Sequence, residues 1–283
     1  MGRNGTPSLI AHRAAGLVKW LFLLFFLIVT LFPLIWLVIS SFKTNLEFQT
    51  KPFSLPELWQ FANYINAVSI SDLHLLFLHT IIVSCASTAL NILASSMAAF
   101  VISREPFRGH ETLFNIVVAG ILVPVIALMV PYFRLISSLG LYDTLFGLII
   151  TYAAVSIPVS VFLIHGFMRS IPRELEEAAV IDGCSLAQRF TRVIFPLSRL
   201  GLVTAGTFVF LFSWNEFIYA LLLTSSVKAR TLQLGIRFFK SQFITDYTSM
   251  YAAIVLSIIP TIFVYILFHD KIIKGMTSGA VKG

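Results

Sequence analysis

The chain alternates between long, nearly unbroken apolar stretches and shorter polar segments that carry most of its charge. A helix needs roughly 20 mostly apolar residues to cross the hydrocarbon core of a bilayer. We predict membrane spans at residues 17–39, 75–102, 113–132, 145–167, 202–223 and 250–269. The pattern therefore predicts an all-α, polytopic membrane protein with about six transmembrane helices in a single domain.

Composition agrees with a lipid environment. Hydrophobic residues make up 58% of the chain and charged residues only 12%, whereas a soluble domain carries about 25% charged residues. The formal net charge of +7 would suit nucleic acid, but basic loops beside membrane lipid explain it better. We expect no nucleic-acid partner. No cluster of His, Cys, Asp or Glu has the spacing of metal ligands, so we predict no metal site.

The distribution of basic residues sets the predicted orientation. With the N-terminus inside, the inner segments hold most of the 20 Lys and Arg residues, as cytoplasmic loops usually do. An exception is the outer loop at residues 224–249, which is both basic and aromatic. Six spans then place both termini in the cytoplasm.

The longest inner polar segment carries the capping signals of two short helices. Ser170 is a candidate N-cap, and Pro172 suits the first turn of the helix that would follow. Gly183 is expected to end that helix in a left-handed conformation. Ser185 and Gln188 have the spacing of a capping box, which predicts a second short helix.

Small side chains in the first of these helices suggest a contact surface. Ala178 and Ala179 favour the helix and allow another surface to approach closely. That surface is either a partner protein or the lipid headgroups, and the pattern alone leaves both open. Beyond the second helix, Pro196 is well placed to begin the climb into the fifth span.

These residues also carry a resemblance to a known family. The matching positions are Glu177-Ala178-Ala179-x-x-Asp182-Gly183, followed by Phe190, Ile194 and Pro196. The string resembles the EAA loop of ABC importer permeases, and the lead-in from Pro172 to Glu177 resembles the maltose-type, carbohydrate-uptake branch. Two mild departures are Cys184, where that family usually has Ala, and Leu200, where a second Pro is common.

The resemblance implies a type I ABC importer permease fold and a role for residues 168–201 as the coupling loop. In this family the loop sits in a cleft of the cytoplasmic ATPase. The implied coupling residues are Glu177, Ala178, Ala179, Asp182, Gly183, Phe190 and Pro196. The C-terminal segment, residues 270–283, resembles a tail that reaches into the ATPase dimer. Its implied contact residues are Gly275, Thr277, Gly279 and Lys282.

A polar string in the fifth span is the candidate translocation path. Glu216 is an acid deep in an apolar run, and such a charge is expected to face a protein interior or water. The string Trp214-Asn215-Glu216-Phe217 resembles one found in the carbohydrate-uptake branch. We predict path residues at Trp214, Asn215, Glu216 and Tyr219. The alternative for Glu216 is a structural bond to a neighbouring helix.

The same resemblance implies the partners. They are a homologous second permease, a dimeric ABC ATPase, an extracytoplasmic solute-binding protein, a sugar substrate and membrane lipid. In this family ATP and Mg bind the ATPase, so no cofactor is expected on this chain. The implied location is the cytoplasmic, or inner, membrane of a bacterium or archaeon. The outer loop at residues 224–249 is the expected contact of the binding protein, and the alternative is a solvated turn.

Two other classes of function compete with this interpretation. A secondary solute transporter working without an ATPase would usually show internal repeats and more intramembrane charges. A membrane enzyme would need a catalytic constellation within the spans, and the sequence has no G-x-S-x-G string. The chain also lacks the nucleotide-binding pattern G-x-x-x-x-G-K-[ST], as expected of a permease whose ATP binds a separate subunit.

Overall fold

The computed structural model describes residues 9–70, 72–239 and 246–278. Within these ranges the chain forms α-helices joined by short turns, and no strand occurs there. The helices are α1 (Leu9–Ser40), α2 (Asn45–Thr50), α3 (Ala62–Ile70), α4 (Leu73–Arg104), α5 (His110–Ala119), α6 (Met129–Ser138), α7 (Leu145–Val155), α8 (Ile157–Ser170), α9 (Glu174–Ile181), α10 (Leu186–Gln188), α11 (Phe195–Leu197), α12 (Arg199–Asn215), α13 (Ile218–Leu223), α14 (Leu232–Ile236) and α15 (Tyr247–Ser278).

Three of the described helices are long and apolar enough to cross a bilayer on their own. They are Gly16–Ser40 within α1, the whole of α4, and Tyr247–Lys271 within α15. Three bent pairs of shorter helices raise the number to six if each pair is one span. The pairs and their bends are His110–Leu122 with Val125–Ser138 at 97°, Leu145–Val155 with Ile157–Ser170 at 49°, and Leu186–Leu197 with Arg199–Asn215 at 77°.

Prolines explain two of the bends. Pro124 follows Val123, whose backbone is extended with ψ of 120°, because a residue before proline avoids the helical region. Pro158 lies in the first turn of α8, directly after the break at Ser156, where its missing N–H has no helical partner to lose. By contrast, Pro33 and Pro260 lie inside α1 and α15 without ending either helix.

Contacts divide the chain into two compact units. The first comprises Met1–Ile70 and Phe239–Leu256. Its helix α1 is apolar and exposes every side chain from residue 17 to 35, so it needs lipid or another protein as neighbour. After α1, the ammonium of the buried Lys43 donates to the carbonyls of Lys51 at 2.7 Å and Pro52 at 3.1 Å. These bonds satisfy a charge that would be costly to bury alone.

The second unit comprises Ser71–Phe238 and Ser257–Gly283, and α4 runs through its centre. One face of α4 is lined by small buried polar side chains: Ser84, Ser87, Asn91, Ser95 and Ser96. Asn91 donates to the carbonyl of Ala153 at 2.8 Å, and the hydroxyls of Ser87 and Ser213 lie 3.0 Å apart. Small polar residues allow helices to pack closely in lipid, so this face holds α4 against α7, α8 and α12.

A second tie in this unit joins two predicted outer turns. Asp143 adopts a left-handed backbone with φ of 59°. Its Oδ1 accepts from the backbone N–H groups of Ser225 at 2.7 Å and Ser226 at 2.9 Å, and its own N–H donates to Leu223 at 2.8 Å. Burial opposes ionisation of this carboxyl, but the two N–H donors outweigh it and lower its pKa below the ordinary value.

We expect Asp143→Asn to flatten the acid dependence of stability. Because the pKa is lower in the folded state, the carboxylate stabilises the fold fully above the ordinary aspartate pKa of about 4. That contribution is lost as the pH falls through the folded pKa. Thermal unfolding of the extracted protein should show it: wild type loses melting temperature below about pH 4 more steeply than the variant. Parallel profiles for both proteins would contradict this assignment.

Candidate functional site

The candidate coupling site is built around α9, and a sharp turn at Gly183 ends this helix. Gly183 has φ of +80°, a conformation that glycine adopts without strain. The N–H of Gly183 donates to Val180 at 3.0 Å, and the N–H of Cys184 donates to Ala179 at 2.9 Å. This pair of bonds is a Schellman motif, so the predicted turn at Gly183 is confirmed.

The start of α9 differs from the prediction. Ser170 is the last residue of α8, and its hydroxyl donates to the carbonyl of Phe167 at 2.8 Å. The residue that precedes α9 is Arg173, which makes no side-chain cap. The N-cap prediction for Ser170 is therefore wrong, and so is the placement of Pro172 in the first turn of the helix, because Pro172 lies before α9. Pro172 explains the shift, because it holds Ile171 extended with ψ of 131° and so interrupts the helix.

The second short helix begins as predicted. Ser185 Oγ accepts from the N–H of Gln188 at 3.4 Å, and Gln188 Oε1 accepts from the N–H of Ser185 at 2.8 Å. The capping box is thus confirmed. Beyond α10 the chain continues as a π-helical turn, Arg189–Ile194, and then as α11. Pro196 lies in the first turn of α11, and α12 begins only after a break at Ser198.

Helix α9 has one exposed face and one buried face. Glu177, Ala178, Asp182 and Gly183 are exposed, together with apolar side chains at Val180 (53%) and Ile181 (86%). Ala179 and Glu176 face inward and are buried. The predicted coupling residues are therefore divided: most are available to a partner, whereas Ala179 packs inside.

The other predicted coupling residues lie behind α9. Phe190 is half-buried and its ring lies 5.3 Å from that of Phe100 and 5.5 Å from that of Phe195. It belongs to the core that joins α4, α8 and α12. Pro196 is exposed and is one of the residues that line an apolar cavity of about 910 Å³. Both residues therefore anchor or border the loop, and neither lies on the exposed face of α9.

A buried ion network lies beneath α9, and sequence reasoning missed it. Arg189 Nη1 is 2.8 Å from Glu176 Oε1, and Arg189 Nη2 is 2.9 Å from Glu105 Oε1. Arg104 Nε lies 3.8 Å from Glu176 Oε2. The guanidinium of Arg104 also donates to the carbonyls of Met168 and Ile171. No local pattern signals these pairs, because the partners come from separate parts of the chain.

The structure interrupts the predicted fifth span at its acid. Helix α12 ends at Asn215, Glu216 is extended with ψ of 130°, and α13 begins at Ile218. The carboxylate of Glu216 accepts from the Tyr152 hydroxyl at 2.7 Å and from the N–H groups of Tyr219 at 2.8 Å and Ala220 at 3.1 Å. These bonds satisfy backbone N–H groups in the first turn of α13. Residues 202–223 therefore do not form one continuous helix.

Burial distinguishes the four candidate path residues. Trp214 is fully buried, and its indole donates to the carbonyl of Ser257 at 3.0 Å. Tyr219 is also buried, and its hydroxyl donates to Val125 at 3.1 Å. Glu216 is buried, whereas Asn215 is exposed. Of the four, Asn215 is the side chain most available to a solute, and the path itself stays a prediction.

The tail prediction is only partly covered by the described residues. Gly275 and Thr277 belong to the last turns of α15. Gly279 and Lys282 lie outside the described residues, so their role stays a prediction. The same holds for residues 240–245 of the predicted outer loop.

Comparisons with solved structures support this fold. One chain of a bacterial ABC transporter involved in import of the acidic polysaccharide alginate aligns with a TM-score of 0.83, covering 95% of this chain and 99% of that one. The two are 22% identical, so this likeness concerns the fold alone. It places these bent and broken helices among the known architectures of ABC transporter chains.

Curated relatives cover nearly the whole chain. The putative ABC transporter permease protein ORF2 of Caldicellulosiruptor sp. (strain Rt8B.4) is 38% identical, over 94% of this chain and 97% of that protein. The sulfoquinovosyl glycerol transport system permease protein SmoH of Agrobacterium fabrum is 33% identical, over 98% of each. The trehalose/maltose transport system permease protein MalG of Thermococcus litoralis is 34% identical, over 90% of this chain and 93% of that protein.

The family match covers most of the second unit. Residues 91–278 match the family described as "Binding-protein-dependent transport system inner membrane component". Membership of this family implies an ATPase and a binding protein as partners, and these relatives give no support to a secondary transporter. The chain therefore belongs to the family of binding-protein-dependent transport system inner membrane components, as a multi-pass membrane permease subunit of an ABC importer and not an enzyme.

Proposed function

We propose that this subunit helps to import a sugar or related polyol across the cytoplasmic membrane of a bacterium or archaeon. The relatives named for sulfoquinovosyl glycerol and trehalose/maltose transport support this class of substrate. In the proposed arrangement both termini are cytoplasmic. A homologous second permease completes the path, and an extracytoplasmic binding protein delivers the solute.

The exposed face of α9 is the observation that carries the coupling role. A short helix that presents Glu177 beside the exposed apolar side chains Val180 and Ile181 is poorly suited to water. Its C-terminal end is fixed by the Schellman motif at Gly183, and the capping box of α10 follows directly. A rigid, partly apolar surface of this kind suits a protein cleft. We place it against a dimeric ABC ATPase, which binds the ATP and Mg.

In this proposal the remaining predicted contacts keep their roles. The tail residues Gly275, Thr277, Gly279 and Lys282 reach the ATPase, and the outer loop at residues 224–249 meets the binding protein.

The apolar cavity of about 910 Å³ between α4, α12 and α15 is lined mainly by hydrocarbon groups, including Ile92, Val203 and Phe268. That lining suits contact with the second permease better than passage of a hydrated sugar.

Extraction of the tagged chain from its native membranes tests this assembly. With a mild detergent, mass spectrometry should find an ATPase carrying a nucleotide-binding motif and a second permease of similar size. The recovered complex, reconstituted in liposomes with its binding protein, should take up sugars only when ATP is supplied. A monomer or homodimer that transports without an ATPase would overturn the proposal.

We expect Glu177→Lys to prevent association with the ATPase. The substitution reverses a charge on the exposed face of α9 and leaves the residues of the network unchanged. Reversing a charge at an interface disturbs its electrostatic complementarity, which costs affinity. The amount of ATPase extracted with the tagged chain should fall by roughly tenfold or more. Glu111→Lys is the control, because it makes the same charge change at an exposed residue of α5. Equal recovery of ATPase with both variants would contradict the assignment.

A further inference from the structure

The network beneath α9 contains buried charged side chains that the packing of a loop does not require. Within it, the side chains of Arg104 and Glu176 are only 2% and 9% exposed. Ionised groups are rarely buried to this extent without paired partners. Replacing such a pair by apolar side chains is often neutral or stabilising, so stability alone is a weak reason for its presence.

The connections of the network suggest what it does. Arg104 is the last residue of α4, and its guanidinium bonds to the carbonyls of Met168 and Ile171 at the end of α8. Glu176 belongs to α9. Arg189 begins the π-helical turn that leads to α12, and it bridges Glu176 and Glu105. One cluster, in which Arg104 and Glu176 are buried and Arg189 and Glu105 are half-buried, therefore joins α9 to the ends of α4 and α8.

The network also lies close to the surface that we assign to the ATPase. A cavity of about 330 Å³ is lined both by Glu177, Val180 and Ile181 of the exposed face and by Arg104, Glu176 and Arg189 of the network. The exposed face of α9 and the charges of the network therefore border the same cavity. A displacement of α9 therefore acts directly on Glu176.

We propose that Glu176, Arg104 and Arg189 are positioning residues that fasten the coupling helix to α4 and α8, so that a movement of α9 moves these helices. Arg189 suits this task because its planar guanidinium reaches two carboxylates at once, which a lysine ammonium does less well. If the cluster were weakened, α9 could still bind a partner. Its movement would then deform the loop and would not move α4 and α8. This inference rests on the proposed coupling function.

The test compares ATP hydrolysis with uptake in the complete reconstituted importer. Glu176→Gln should leave the ATPase bound and active but lower uptake, so that ATP consumed per solute imported rises roughly fivefold or more. Glu111→Gln is the matched control, because Glu111 is an exposed acid on α5 that belongs neither to the network nor to the exposed face of α9. Arg189→Gln should behave like Glu176→Gln, Arg192→Gln should behave like wild type, and Arg189→Lys should be intermediate.

Hydrogen exchange separates positioning from folding. In Glu176→Gln, amides of residues 174–181 should exchange faster than in wild type, while those in the core of α4 should not change. An unchanged ratio of ATP to solute in Glu176→Gln and Arg189→Gln would overturn the inference. So would a parallel loss of complex, hydrolysis and uptake. Failure of the proposed function itself would give a different result, because extraction of the wild-type chain would then recover no ATPase.

Discussion

Replacing Gly183 with proline is expected to abolish solute uptake while the chain remains in the membrane. Gly183 has φ of +80°, whereas proline is fixed near −65°. Proline would also remove the N–H that donates to Val180 in the Schellman motif. The combined cost of about 3 kcal/mol or more falls on the end of α9. Uptake in cells or liposomes should drop by more than roughly tenfold, with normal amounts of chain in the membrane fraction.

A graded series at the same position tests the cause. Asparagine tolerates the left-handed conformation, so Gly183→Asn should keep most of the uptake. Alanine costs about 1–2 kcal/mol there and should fall between asparagine and proline. This order follows from backbone conformation, because a Cβ on Gly183 would meet no atom of the described residues within 4 Å. Normal transport by the proline variant would refute the role given to this turn.

The features that could be predicted from sequence depend on neighbouring residues. The left-handed turn at Gly183 and the capping box of Ser185 and Gln188 each involve a few consecutive positions. Long apolar runs likewise identified the helical segments, because lipid requires every backbone group to be bonded within the segment. The resemblance at Glu177-Ala178-Ala179 then identified the family, which capping signals alone could not do.

The features that could not be predicted depend mainly on residues distant in sequence. Glu176 looks like any acid in the first turn of a helix, and only the fold brings Arg104 and Arg189 to it. Ser170 has the chemistry of an N-cap, yet α8 extends through it and Pro172 delays the next helix. Tertiary packing decides the first case, whereas the second is local, because Pro172 breaks the chain between α8 and α9 and does not begin α9.

The break at Glu216 is a third example, and it leads to the second large expected effect. Replacing Glu216 with leucine should strongly destabilise the subunit. The carboxylate accepts from the Tyr152 hydroxyl and from the N–H groups of Tyr219 and Ala220. Leucine would leave these buried donors without partners, at about 1–3 kcal/mol each. The amount of folded complex extracted should fall severely, and the remainder should melt at a clearly lower temperature.

Milder substitutions separate a structural role from contact with the solute. Tyr152→Phe removes one donor and leaves the carboxylate bonded to both backbone N–H groups, so it should cost about 1 kcal/mol. Glu216→Gln keeps one acceptor oxygen and should be intermediate. For all three variants we expect uptake to fall in proportion to folded complex, with KM unchanged. Asn215→Ala should instead raise KM without lowering the amount of folded complex, because Asn215 is exposed and its amide donates to the carbonyl of Leu211 on its own helix. A raised KM in Glu216→Gln with full amounts of folded complex would instead place this carboxylate on the translocation path.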